Sequence, residues 1–208
     1  HDYSRYYEGR ELKPGTKLDA LGVAHEPGSV EHFTLRVSPL AGRDTTRTDI
    51  EAYPMEDRRS DARYEGVPAR IAQIRKSGYA ACGPIGHIFE SAWQIRGMED
   101  MLMDVVENPD LAHTLLERFT ENNEVAARRY AEAGADFITC GDDVGTQHGM
   151  MMSPETWRTF LKPRLARVFA AAKSVNPDIL TWYHSDGNIE AIIPELIEIG
   201  LDILNPVQ

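Results

Sequence analysis

Apolar and polar positions fall into blocks along the last two thirds of the chain. "YAACGP" is a short apolar run closed by Gly-Pro, "ADFITCGDD" ends in two aspartates, "DILTWYHSDG" ends in polar and turn residues, and "LDILNP" follows Gly200 at once. Each has the length and boundaries of a strand. The runs are nearly continuous, which predicts strands covered on both faces.

Helical periodicity lies between them. Asn108-Pro109 opens one helix with a capping residue and a proline at the first position. Leu111, Leu115, Leu116 and Phe119 line one face, and Gly134 closes it. Ser153-Pro154-Glu155 opens the next, whose apolar stripe is Trp157, Phe160, Leu161, Leu165, Val168 and Phe169. Pro163 lies inside it and predicts a kink. A last helix is predicted from about residue 189 to 199, with Pro194 inside and Gly200 at its end.

Strand alternating with helix predicts βαβ units and a parallel α/β sheet. Residues 1 to 70 show little periodicity and are expected to form polar loops and short helices packing on the domain made by residues 71–208. Four strands suit a small doubly wound sheet, whereas a (β/α)8 barrel needs eight strands and ~250 residues. The chain begins without Met and stops just after the fourth run. The expectation is therefore the middle four strands of a (β/α)8 barrel, with residues missing at both ends. Open strand edges give a reason to expect a homo-oligomer.

Composition narrows the function. The 208 residues carry a net charge of -11, which disfavours non-specific binding to nucleic acid or to an anionic membrane. No apolar run reaches the ~20 residues of a membrane span, and no signal sequence is evident. Cys82 and Cys140 sit in strand-like runs and are expected to be buried, reduced thiols in a cytoplasmic protein. There is no GxGxxG after a strand, no GxxxxGKS/T and no GxSxG.

In parallel α/β folds the chemistry gathers at the C-terminal ends of the strands. The first end offers His87 and Glu90, the second Asp142, Asp143, Gln147 and His148, the third His184 and Asp186, the fourth Asn205 and Gln208. His184 and Asp186 are two apart on an extended strand, so both side chains reach one side. They read either as two ligands of a metal ion or as a hydrogen-bonded pair capping the next helix. Asp142 and Asp143 read as catalytic acid/base or substrate-anchoring groups, or as a turn whose carboxylate bonds the backbone. His87, Glu90, Gln147, His148 and Asn205 are candidate substrate contacts.

The stretch "GADFITCGDDVGTQHGMMMSPETWRTFLKPRLARVFAAAK", followed by "YHSDGNIEAIIPELIEIGLDILNPVQ", resembles the uroporphyrinogen decarboxylase superfamily. It looks closest to the branch of cobalamin-dependent methyltransferases such as the methylcobamide:coenzyme M methyltransferases. The likeness covers residues 79–208 well and the first 70 only through "IEAYPMEDRR" and "RYEGVPARI". It implies a (β/α)8 barrel and metal-assisted methyl transfer, with zinc as the metal. The methyl carrier that the resemblance implies is a methylcobamide, bound on a corrinoid protein partner or used as substrate. In that branch zinc is held by His-x-Cys-Gly and a later Cys. His184 matches the His, and Asp186 stands in the place of the Cys. The strict decarboxylase works without metal, holding the pyrrole NH groups with an aspartate; its Phe-Asp-Ser-Trp segment corresponds to Gly141-Asp142-Asp143-Val144 here. Porphyrinogen decarboxylation is therefore one alternative, and a non-catalytic member binding a small ligand or a corrinoid protein is another.

Overall fold

The computed structural model describes residues 1–28 and 34–207. Gln208 lies outside them. In chain order the elements are β1 (Lys17–Leu18), β2 (Ala24–Pro27), β3 (Thr34–Val37), α1 (Arg47–Ala52), α2 (Val67–Lys76), β4 (Cys82–Gly86), α3 (Phe89–Arg96), α4 (Met98–Glu107) and α5 (Pro109–Glu132). These are followed by β5 (Phe137–Gly141), β6 (Gly145–Thr146), β7 (Gly149–Met150), α6 (Pro154–Phe160), α7 (Lys162–Lys173), β8 (Leu180–His184), α8 (Ile193–Glu198) and β9 (Ile203–Asn205). They form two compact units, one of residues His1–Glu56 and Glu90–Leu116, the other of Asp57–Phe89 and Glu117–Gln208.

In the first unit, β1, β2 and β3 make an antiparallel sheet in that order, where loops and short helices were expected. Strands of two and four residues are too short to show a period of two. Its core is also partly phenolic. The Tyr7 hydroxyl accepts from the Ala24 amide at 2.9 Å and lies 2.6 Å from the Gly22 carbonyl, while Tyr3 stacks on Tyr53 with ring centres 5.6 Å apart. Burial raises the Tyr7 phenol to about 12, so it stays a neutral structural donor. Arg96, 2% exposed, bonds Asp104 at 2.7 Å and the carbonyls of Leu40 and Gly42 at 2.7 and 2.8 Å, leaving neither buried charge unpaired.

The second unit is built on a four-stranded parallel sheet in the order β4-β5-β8-β9. Each parallel strand lies beside the next one in the chain. A doubly wound sheet reverses its strand order at a switch point; a (β/α)8 barrel does not. This is the order of four consecutive barrel strands, at the four segments expected.

The strands are not covered alike on both faces. Gly83, Ile85, Ile138, Cys140, Thr181 and Tyr183 are buried, whereas Cys82, Pro84 and Leu180 on the other face are exposed. The buried face takes the helices: a Cβ at Gly83 would sit 2.5 Å from the Tyr130 side chain on α5, so that glycine sets how closely helix and strand approach. Cys82 begins β4 on the other face and is exposed, contrary to the expectation of two buried thiols; Cys140 is buried.

The helices largely follow the sequence. Ser153 caps α6 by accepting from the Thr156 amide at 3.1 Å, with Pro154 in the first turn. Pro163 separates α6 from α7 at Leu161, while the buried stripe from Trp157 to Phe169 continues across the break. The final helix is shorter than expected, because Pro194 sits in the first turn of α8 and a 3-10 turn, Glu190–Ile192, precedes it. Among the described residues no helix is long and apolar enough to cross a membrane.

Candidate metal centre at the ends of the parallel strands

The register of β5, β8 and β9 sets Gly141, His184 and Asn205 abreast at the C-terminal end of the sheet. Ladder bonds continue one step beyond: the Asp142 amide donates to the His184 carbonyl and the Ser185 amide to the Asn205 carbonyl, both at 3.0 Å. Two loops then leave the sheet side by side, residues 142–145 after β5 and 185–188 after β8.

Backbone amides of each loop, bonded to side chains and a carbonyl of the other, clamp the two together. The Asp186 amide donates to Asp143 Oδ1 at 2.9 Å, the Val144 amide to Ser185 Oγ at 3.2 Å, and the Asn188 amide to the Thr146 carbonyl at 2.7 Å. Such an approach leaves no room for side chains at the crossing. A Cβ at Gly145 would lie 2.8 Å from the Asp186 carbonyl oxygen, and one at Gly187 would lie 2.4 Å from the Gly145 carbonyl carbon. Gly187 also has φ +84°, a conformation open to glycine at little cost.

The clamp brings three donor atoms to one place. His184 Nε2 lies 3.7 Å from Asp143 Oδ1 and 3.6 Å from Asp186 Oδ1, and one donor atom from each of the three residues falls within 4.8 Å of the others. The imidazole's other nitrogen, Nδ1, is 2.8 Å from Asn205 Oδ1. An amide oxygen only accepts, so Nδ1 carries the proton and Nε2 presents its lone pair to the carboxylates. Both His–Asp distances are too long for hydrogen bonds. A cation bound at about 2.0–2.2 Å to each donor would hold them roughly 3–3.5 Å apart, so small side-chain adjustments seat one ion among the three. The residues therefore fit a divalent metal ion. Among the described residues no cysteine belongs to the group, so they fit a zinc–thiolate centre poorly.

The remaining candidates are placed differently. Asp142 is 1% exposed and turns its carboxylate inward to the Ile88 amide, 3.1 Å away, tying the turn before α3. His87 uses Nδ1 on the Gly141 carbonyl. Glu90 accepts from Gln94 on its own helix at 3.1 Å. Gln147 and His148 are exposed at the turn between β6 and β7. Asn205 bonds His184 Nδ1 through its Oδ1. Tyr183 and Cys140 are buried just below, and burial, reinforced by Asp142, raises both well above their usual values. Both stay protonated, so neither supplies a base from beneath.

Reading the sequence in isolation missed Asp143 as a partner of His184, the role of Asn205, and the two glycines at the crossing. Spacing within one strand shows pairs such as 184 and 186. A partner from the neighbouring strand emerges only from register.

The chain matches the family described as uroporphyrinogen decarboxylase (URO-D) over residues 19–206. Two curated proteins named methylcobamide:CoM methyltransferase MtaA are similar to it over 100 residues. One, from Methanosarcina barkeri, is 33% identical, and the other, from Methanosarcina barkeri (strain Fusaro / DSM 804), is 32% identical. Each match covers 48% of this chain and 27% of the relative. A solved structure described as a methyltransferase from Methanosarcina mazei shares the fold with a TM-score of 0.64 at 23% identity, over 89% of this chain and 52% of that one. The similarity thus spans about half of the solved relative and about a quarter of the curated ones.

Proposed function

The chain belongs to the uroporphyrinogen decarboxylase (URO-D) family, and from that premise we propose that it serves metal-assisted methyl transfer involving a corrinoid. The observation that carries this reading is the convergence of His184, Asp143 and Asp186 at the strand ends, with Asn205 fixing the imidazole. The likeness to proteins named as methylcobamide methyltransferases supports it.

His184 Nε2 and the carboxylates of Asp143 and Asp186 would hold the ion. When bound, it supplies Lewis-acid polarisation of the atom that accepts or gives up the methyl group, lowering that atom's pKa. Asn205 keeps the imidazole proton on Nδ1 and so keeps Nε2 basic. The Asp186 amide orients the Asp143 carboxylate. Asp142 is a positioning residue that fixes the turn after β4. Gln147 and His148, exposed on the hairpin, are the groups we assign to contact with a large substrate or a corrinoid-bearing partner.

The placement of Asp142 also weighs against cofactor-free decarboxylation. The aspartate that the resemblance would assign to pyrrole NH groups is buried here and occupied by the Ile88 amide.

The test is methyl transfer by the full-length protein under anaerobic conditions, read as conversion of methylcob(III)alamin to cob(I)alamin with a panel of acceptors, and in reverse with methyl donors. Turnover that falls at least about 100-fold in His184→Ala is expected, in the range of removing a metal ligand. No turnover in either direction, together with decarboxylation of uroporphyrinogen, would overturn the reading.

A further inference from the structure

The donor set is more specific than a generic cation site. We propose that Asp143, His184 and Asp186 form a one-nitrogen, two-oxygen centre that takes an oxygen-preferring divalent cation, such as manganese, without the soft-metal preference of a thiolate site. This rests on the metal reading of the proposed function and concerns which ions the centre admits.

The two cysteines of these 208 residues are remote from the donors. Cys82 stands level with Phe137 and Leu180 in the register of the sheet, four residues before the His184 level. At about 3.3 Å of rise per residue that is ~13 Å along the strand. Cys140 lies on the buried face, its thiol directed at the Trp182 carbonyl 3.7 Å away and kept protonated by burial. Neither thiol can join His184 without rebuilding the strands.

Charge favours the same class of ion. Two carboxylates balance a dication, and carboxylate oxygens are hard ligands that suit manganese and magnesium better than cadmium or copper(I). The three side chains are 41% (His184), 44% (Asp143) and 62% (Asp186) exposed. Water therefore reaches the ion's remaining positions, as a six-coordinate, oxygen-rich shell requires. The Asp186 amide holds the Asp143 carboxylate and Asn205 holds the His184 ring in place before any ion arrives.

The test is equilibrium binding of metal ions alone to the chelator-treated full-length protein. Manganese is followed by loss of the free-ion electron paramagnetic resonance signal, and zinc and cadmium by competition with a chromophoric chelator. Wild type is expected to bind about one manganese ion per chain and to hold cadmium and zinc with affinities within about tenfold of each other. Asp143→Asn and Asp186→Asn are expected to lower manganese affinity at least about tenfold. Asp186→Cys is expected to lose manganese, to raise the cadmium-to-zinc ratio about 100-fold or more, and to gain ultraviolet thiolate-to-cadmium absorption. Asp186 is exposed, so its two variants are expected to keep the fold, and unfolding midpoints check all three.

Wild type that binds zinc but no manganese, or prefers cadmium about 100-fold, overturns the inference. So does an Asp143→Asn variant with unchanged affinity. No methyl donor is present in these titrations. Methyl transfer without manganese binding would therefore overturn this inference alone, and binding without methyl transfer would overturn only the functional reading.

Discussion

Gly187→Ala is the substitution that most sharply probes how the centre is held. Gly187 sits at φ +84°, and the added methyl would meet backbone atoms of Gly145 and Thr146 at 2.4, 2.7 and 2.7 Å. Ordinary contact begins near 3.4 Å, so the two loops must part by roughly 1 Å. Gly78→Ala provides the control, because Gly78 has nearly the same φ, +82°, with nothing within 4 Å of its Cβ position. The left-handed conformation costs both variants about 1–2 kcal/mol. Overpacking adds about 1–3 kcal/mol to Gly187→Ala alone. Urea unfolding midpoints of the two variants, measured side by side, give the difference. If the loops relieve the clash by separating, part of that difference appears as weaker manganese binding, since the Asp186 amide leaves Asp143. A Gly187→Ala protein as stable as Gly78→Ala, with wild-type manganese affinity, would refute the clamp.

Three further outcomes follow from the same geometry. Asn205→Ala removes the acceptor from His184 Nδ1 and is expected to weaken manganese binding about 10–100-fold, with Asn205→Asp restoring it; equal losses in both would show that Asn205 matters only for packing. Asp136 is held below the usual carboxylate range by the Arg75 guanidinium and then the Ala81 amide. Its stabilisation is therefore present above the unfolded value of about 3.9 and lost as pH falls through the lower folded value, and Asp136→Asn should flatten stability against pH only in that acid window. A thiol reagent should reach Cys140 only after denaturation, as counted by mass; rapid native labelling of Cys140 would contradict its burial.

The parallel strands were readable because each combines a short apolar run with a polar end, and the capped helices because Asn108-Pro109 and Ser153-Pro154 mark their starts. The antiparallel sheet of the first unit was not readable. Its strands are brief, and tyrosine hydroxyls bonded to backbone groups such as the Ala24 amide replace an apolar stripe. The centre was half readable. His184 and Asp186 share one strand end, so their spacing exposes them. Asp143 joins them only because β5 pairs with β8 in the register that sets Gly141 beside His184, and Asn205 only because β9 follows on the other side. The adjacent aspartates 142 and 143 look equivalent in sequence. Alternation at the strand end sends one inward to the Ile88 amide and the other out to the Asp186 amide, 3.7 Å from the histidine.

The most direct measurement is an anomalous difference map from crystals of the full-length protein soaked in manganese. The centre requires one peak bonded at about 2.1–2.3 Å to His184 Nε2 and to one oxygen each of Asp143 and Asp186. No peak there, or a peak that leaves His184 Nε2 unliganded, would contradict the assignment of these three residues as one metal site.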